Sequence, residues 1–177
     1  MVYVETERLI LRSTESNDLA CLHKKVFSDQ EVTKYIGGTF TEDQSRDFFQ
    51  NNFNHGQNDS YGFCVIAEKG TNNVVGFAGL IQARHSNFNE NEFGYVLSKN
   101  FWGKGYATEI ALGQLKWAFD KLGLNHVYAL IQKGNSASVA VLEKLKVSQI
   151  QPVTIEEESA VTIEGEGELL VFKATKA

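Results

Sequence analysis

One stretch of the 177-residue chain combines residue types at a spacing suited to holding an anion: Asn100-Phe101-Trp102-Gly103-Lys104-Gly105-Tyr106-Ala107-Thr108-Glu109. The pattern predicts a strand before it, a short loop with two glycines, and a long helix after it. The first N–H groups of a helix have no carbonyl partner within the helix and carry the positive end of its dipole. Such an end binds phosphate or diphosphate. Gly103 and Gly105 let the backbone approach the anion, Ala107 keeps the first turn narrow, and Lys104 can add a charge. A dinucleotide fingerprint needs a third Gly where Thr108 stands, and a Walker A loop needs Ser or Thr where Gly105 stands. Neither pattern is met. A Gly-rich turn that binds nothing is the bland alternative.

The elements that must position this loop are legible from period and punctuation. Glu7 to Arg12 alternates as a strand with Leu9 and Leu11 inward. Leu19, Leu22, His23, Val26 and Phe27 share one face of a helix. Ser28 with Glu31 reads as a capping box for a short helical piece ended by Gly37-Gly38, and Thr41 with Gln44 as another, before a helix carrying Phe48, Phe49 and Phe53. These three Phe residues are expected in the core. Asn54 to Ser60 reads as loop. Tyr61 to Glu68 and Val74 to Ile81 form a hairpin across Gly70-Thr71-Asn72-Asn73. A polar loop, His85 to Glu90, then leads to a strand from Asn91 to Leu97. After the Gly-containing loop come a helix from Tyr106 to Leu122 closed by Gly123, a strand from Val127 to Ile131, and a helix from Asn135 to Leu145. Two weaker strands follow, Gln149 to Ile155 and Glu168 to Thr175. The order predicts a mixed α/β sheet in a single domain spanning 1–177.

Composition sets bounds. Hydrophobic residues make up 42% and charged residues 22%, ordinary for a soluble globular chain. A formal net charge of −5 argues against a general nucleic-acid binder and is compatible with a cationic substrate. Cys21 and Cys64 lie far apart, which fits a reducing compartment rather than a disulfide scaffold. Four scattered His residues give no metal-ligand spacing. Apolar runs such as Cys64-Val65-Ile66-Ala67 are too short to cross a bilayer. Glu5, Glu7, Arg8 and Arg12 break up any leader-like start, so the expected location is the cytoplasm, with no membrane or nucleic-acid partner.

Four blocks together resemble the GNAT superfamily of N-acetyltransferases, most closely its RimJ/RimL-like branch. Trp102-Gly103-Lys104-Gly105-Tyr106-Ala107 is similar to that superfamily's acetyl-CoA loop. Thr6-Glu7-Arg8-Leu9-Ile10-Leu11-Arg12 is similar to the branch's first strand, and Asn91-Glu92-Phe93-Gly94-Tyr95-Val96-Leu97 to the strand before the loop. Asn135-Ser136-Ala137-Ser138 with Leu142-Glu143-Lys144-Leu145 is similar to its last helix. The likeness covers roughly Thr6 to Leu145, in order and spacing.

The resemblance implies a GNAT fold, with a mostly antiparallel sheet splayed between Asn91–Leu97 and Val127–Ile131. It implies acetyl-CoA as cosubstrate, no metal, and transfer to a primary amine by direct attack. Trp102, Gly103, Lys104, Gly105, Tyr106 and Ala107 would hold the diphosphate. Tyr95, Val96 and Leu97 would pair with the pantetheine arm, one N–H polarising the thioester, and Asn135 would bond the arm. Glu92 is the expected base. Many GNAT enzymes carry an acid Tyr where Leu142 stands here, so Ser138 is the expected substitute, with the Tyr95 hydroxyl as alternative. Lys146-Val147 replaces the usual Gly-Phe, and Glu156-Glu157-Glu158 with Glu164, Glu166 and Glu168 reads as a solvated hairpin. The acceptor is expected to be a small amine or a peptide N-terminus, and the protein a monomer or homodimer. Two other classes compete: a catalytically silent acyl-CoA-binding module, and a nucleotide-binding domain using the Gly loop for NAD or ATP.

Overall fold

Period-two alternation of apolar side chains builds the sheet first and decides what covers each face. The computed structural model describes residues 1–54, 61–85, 88–147, 153–158, 161–163 and 167–176. Within these, nine strands form one sheet. Its order is β1 (Val2–Glu5), β2 (Leu9–Arg12), β3 (Gly62–Glu68), β4 (Val74–His85), β5 (Phe88–Leu97), β6 (His126–Gln132), β9 (Gly167–Lys176) and β7 (Val153–Glu157), with β8 (Val161–Ile163) also on β9. Every pairing is antiparallel except β5 with β6. The expected mixed, mostly antiparallel sheet is the one observed.

On one face, Leu9, Leu11, Cys64, Ile66 and Ala78 pack with Ile110 of the long helix α4 (Tyr106–Asp120). Leu80, Phe93 and Phe172 continue that layer against α4 and α5 (Ser136–Val147). On the other face, Val65, Phe77 and Val74 meet Leu22, Val26, Phe27 and Phe49. These belong to α1 (Asp18–Leu22), the turn that follows it, and α3 (Glu42–Asn52), with α2 (Gln30–Thr33) between them. Phe49 and Phe53 are buried, and Phe48 stands edge-on to Phe27 at 5.7 Å, so the three belong to the core as expected.

Several local expectations need correction. The expected strand over Glu7 to Arg12 starts at Leu9, and an unforeseen strand, β1, precedes it, because Thr6 N–H bonds the Leu9 carbonyl at 2.9 Å and turns the chain between the two. The helix face of Leu19 to Phe27 is not uniformly α: His23–Phe27 is a π-helical turn, with Ser28 N–H on His23 O at 3.0 Å. The i→i+5 spacing brings Leu22 and Phe27 to the same side, and both are fully buried. The second helical piece is capped by Asp29 rather than Ser28. Asp29 Oδ1 accepts from the N–H groups of Glu31 (2.9 Å) and Val32 (3.2 Å), while the Ser28 hydroxyl donates back to Lys24 O. Thr41 and Gln44 do form the expected capping box.

Of the expected loop from His85 to Glu90, His85 ends β4 and Phe88 to Glu90 begin β5, with Ala83 opposite Glu90 and Arg84 opposite Asn89, while residues 86–87 lie outside the described residues. Backbone pairing continues whatever the side chains, and here the polar run simply rides the hairpin. In the tail β8 adds a third strand to the two expected. The expected loop over 55–60, the strand start over 149–152, and Glu164 and Glu166 lie outside the described residues. Glu156, Glu157 and Glu158 are exposed, in keeping with a solvated hairpin.

The strands beneath the site pack backbone to backbone. A Cβ on Gly76 would stand 2.0 Å from Val96 O of β5. Neither backbone can yield without breaking the β4–β5 ladder. Gly76→Ala is therefore expected to cost about 3 kcal/mol or more in urea unfolding, at the upper end of overpacking effects. A cost under about 1 kcal/mol would show that β5 yields easily.

Candidate active site

The candidate anion-binding loop has the conformation its glycines predict. β5 ends at Leu97, a single 3-10 turn covers Lys99–Phe101, and α4 begins at Tyr106. Gly103 (φ +71°) and Gly105 (φ +79°) adopt the left-handed conformation that favours glycine. Gly105 caps α4 without a side-chain bond, and the first intrahelical bond is Glu109 N–H to Gly105 O at 3.1 Å. The helix thus supplies no internal acceptor for the N–H groups of Tyr106, Ala107 and Thr108.

Side chains brace the loop from beneath. Trp102 is 45% exposed, and its indole Nε1–H donates to Leu97 O at 2.8 Å, tying the loop to the end of β5. Lys104 Nζ lies 5.0 Å from the centre of the Phe101 ring, which stacks on Tyr106. Tyr106 is buried, and its hydroxyl donates to Glu68 Oε1 at 2.8 Å, which holds that carboxyl below its ordinary pKa. The Tyr106 side chain thus serves the core, while its backbone N–H lies at the open start of α4.

Next to the loop the sheet opens. β5 and β6 share the single register pair Glu92 with Tyr128, and no pair beyond it among the described residues. Ser98 N–H bonds Val75 O on the β4 side at 2.9 Å. Backbone groups alternate along a strand, so those of Tyr95 and Leu97 point the other way, toward β6, while those of Val96 point to β4. Trp102 already occupies Leu97 O. The groups left on this edge are the Tyr95 carbonyl and the N–H groups of Tyr95 and Leu97.

The candidate catalytic side chains flank this opening. Glu92 is half-buried on β5, opposite Ile81 of β4 and Tyr128 of β6. It shares a strand face with Gly94 and Val96. A Cβ on Gly94 would meet nothing within 4 Å, so space adjoins the carboxyl. Across the opening, Asn135 Oδ1 caps α5 by accepting from Ser138 N–H at 3.2 Å, leaving its amide NH₂ as donor. Burial pushes the Tyr95 phenol up to about 12, against the smaller opposing influence of the neighbouring Ser138 hydroxyl. Leu142 is buried and apolar, so nothing acidic stands at that point of α5. The Cys64 thiol, buried in β3, is pushed up to about 12 by desolvation and is no nucleophile at neutral pH. Among the described residues no three His, Cys, Asp or Glu side chains gather as metal ligands, and no helix is long and apolar enough to cross a membrane.

The family model described as the acetyltransferase (GNAT) domain matches residues 8–148. The chain belongs to the GNAT acetyltransferase family. The uncharacterized N-acetyltransferase p20 of Bacillus licheniformis is 37% identical over 145 residues, covering 79% of each chain. The uncharacterized protein YkkB of Bacillus subtilis is 34% identical over 142 residues, covering 79% of this chain and 81% of its own. Among solved structures, a GNAT-family acetyltransferase from Bacillus anthracis superposes with a TM-score of 0.77 at 26% identity, covering 99% and 98%. A spermidine N-acetyltransferase from Vibrio cholerae, in complex with CoA and spermine, shares the fold at a TM-score of 0.71 and 19% identity, covering 95% of each. As a GNAT member the protein is an acetyl-CoA-dependent acetyltransferase, which favours the enzyme over the silent module and the nucleotide domain.

Two sets of GNAT-site contacts were not foreseen from the sequence. Arg8 and Glu109 join the start of the chain to the loop, with Arg8 Nη2 2.6 Å from Glu109 Oε2. Arg8 lies inside the first-strand block and Glu109 just after the loop block, and no local signal in either joins them. The segment around α2 also bridges both sides of the opening. Glu31 pairs with Lys99 beyond β5, and the Tyr35 hydroxyl donates to Gly134 O before α5 at 2.9 Å.

Proposed function

We infer that the protein acetylates a primary amine by direct attack on acetyl-CoA at the opening between β5 and β6, as an enzyme of the RimJ/RimL-like branch. The observation that carries this reading is the junction of two features. The Gly103–Gly105 loop opens α4 where β5 leaves β6, so a diphosphate site and an unpaired strand edge lie end to end.

In this reading the N–H groups from Gly103 to Ala107 hold the diphosphate, with Lys104 adding charge; the Trp102 N–H, expected to join them, is taken by Lys99 O at 3.1 Å. The Tyr95 carbonyl and Leu97 N–H pair with the pantetheine amides, and the Asn135 NH₂ adds a bond. Val96 serves by keeping β5 on β4. An amine arrives protonated at neutral pH and must first lose a proton. Its nitrogen then attacks the thioester carbon; the C–N bond forms, the C–S bond breaks, and CoA leaves as thiolate. Glu92 takes the first of the nitrogen's two protons, directly or through water, and passes it to solvent; the second, shed as the C–N bond forms, neutralises the departing thiolate. The Ser138 hydroxyl, oriented by Tyr95, donates to the thiolate. Burial keeps the Tyr95 phenol protonated, so its hydroxyl can donate to Ser138 Oγ and leave the Ser138 proton for the thiolate. Neither buried Cys64 nor a metal is needed.

Ser138→Ala is expected to lower kcat roughly 10-fold while leaving the KM for acetyl-CoA within about 2-fold, since the bond acts on the leaving group. An unchanged kcat would remove Ser138 from the mechanism. The function itself is tested by thiol release from acetyl-CoA with spermidine, a peptide with a free N-terminus, free lysine and an aminoglycoside. Release that depends on one of these amines supports the reading, and its identity names the acceptor class. Binding of acetyl-CoA with no amine-dependent release would favour the silent module instead.

A further inference from the structure

We propose that Arg8 is a positioning residue for the cosubstrate: it orients the Lys104–Gly105 peptide and neutralises Glu109, so that the loop presents donors rather than a negative charge to the diphosphate. The inference rests on the reading of that loop as the diphosphate site.

Three geometric facts support it. First, Arg8 Nη1 donates to Lys104 O at 2.9 Å. The peptide is trans, so the Gly105 N–H on the same plane points away from Arg8, to the outer side of the loop. With glycines at 103 and 105, little else restrains that plane from flipping. A flipped peptide would offer the anion a carbonyl.

Second, Glu109 lies in the first turn of α4, where an uncompensated carboxylate would repel the diphosphate. It is met by Thr6 Oγ1 at 2.6 Å, Arg8 N–H at 2.8 Å and Arg8 Nε at 2.7 Å, all pairing with one carboxyl, besides Nη2. Burial opposes ionisation of this carboxyl, yet the bonds from Thr6 and Arg8 prevail and hold its pKa below the ordinary value. The pair is therefore ionic, and the forked geometry is one that only arginine provides.

Third, the guanidinium cannot wander. It lies 4.6 Å from the Tyr106 ring centre, and a Cβ on Gly105 would stand 3.4 Å from Nη2. The turn that carries Arg8 is itself fixed, since Thr6 N–H donates to Leu9 O at 2.9 Å, Leu9 N–H to Thr6 Oγ1 at 3.0 Å, and Lys69 Nζ to Thr6 O at 3.1 Å.

The test compares two acetyl donors, one of which lacks the diphosphate. Acetyl-CoA and S-acetylpantetheine are titrated against the full-length protein and followed by tryptophan fluorescence, with thermal melting of each variant as a check on folding. Arg8→Met is expected to weaken acetyl-CoA binding about 30-fold, the scale of a lost charge-assisted bond plus an exposed repulsive charge. S-acetylpantetheine binding should stay within about 2-fold. Arg8→Met with Glu109→Gln should recover about 5-fold of the loss, because the repulsion is gone, and Arg8→Lys should behave as a partial loss. Equal weakening of both donors, or no loss with acetyl-CoA, would overturn the role of Arg8. If the unmodified protein bound both donors equally, the diphosphate reading of the loop would fall instead.

Discussion

Glu92→Gln should lower kcat about 100-fold or more while the dissociation constant for acetyl-CoA changes by less than about 2-fold. The substitution keeps the shape of a half-buried side chain on β5 and removes only its ability to take a proton. Glu92 stands at the last residue where β5 still pairs with β6, just before the strand edge that faces the opening. The neighbouring Gly94 leaves room on the same strand face, where a Cβ would meet nothing within 4 Å. A carboxyl beside such a space can reach an amine or an intervening water, whereas the diphosphate loop lies at the far end of β5. The effect should therefore fall on turnover and not on cosubstrate affinity. Turnover equal to that of the unmodified enzyme would assign the base elsewhere.

The largest effect on stability is expected at Arg12 and Asp18, which are 6% and 4% exposed. Arg12 Nη1 and Nη2 fork onto Asp18 Oδ2 (2.7 Å) and Oδ1 (3.0 Å), and Nη1 also reaches Ser13 O. Asn72 Oδ1 accepts from Nε at 3.0 Å, and Asp18 Oδ2 takes the Glu15 N–H at 2.5 Å. The pair clamps β2 to the start of α1 and to the β3–β4 turn. The bond from Asp18 raises the pKa of Arg12 above its ordinary value, so its charge persists at any working pH. Arg12→Met strands a buried carboxylate and should cost about 3–5 kcal/mol, or roughly 10 °C in Tm for a chain of this size. Replacing both partners by apolar residues of similar volume should recover most of it, because desolvation of the pair offsets its attraction. A single variant that cost under 1 kcal/mol would mean that water reaches the pair.

What the sequence disclosed and what it hid follow from how local each interaction is. The loop was legible because its chemistry is local: two glycines with positive φ and a helix start lie within six residues. The Thr41–Gln44 cap was legible for the same reason. The choice of Asp29 over Ser28 was not, since both side chains suit a cap and only the extended backbone at Asp29 decides. Tertiary packing set the π turn at His23–Phe27, where burying both Leu22 and Phe27 outweighs the regular α spacing. The polar residues from His85 to Glu90 concealed a hairpin whose pairing is carried by backbone. Arg8 and Glu109 stand 101 residues apart, and nothing in either neighbourhood announces the other. That Ser138 of α5 comes beside Tyr95 of β5 is a property of the fold that no local pattern carries.

The central claim is that the loop from Trp102 to Ala107 and the adjoining edge of β5 form the acetyl-CoA site. Calorimetric titration of the purified protein with acetyl-CoA, with NADH and ATP as comparison ligands, tests it most directly. The account predicts one saturable site for acetyl-CoA and no measurable heat of binding for the other two. Absence of acetyl-CoA binding, or equal binding of NADH or ATP, would contradict it.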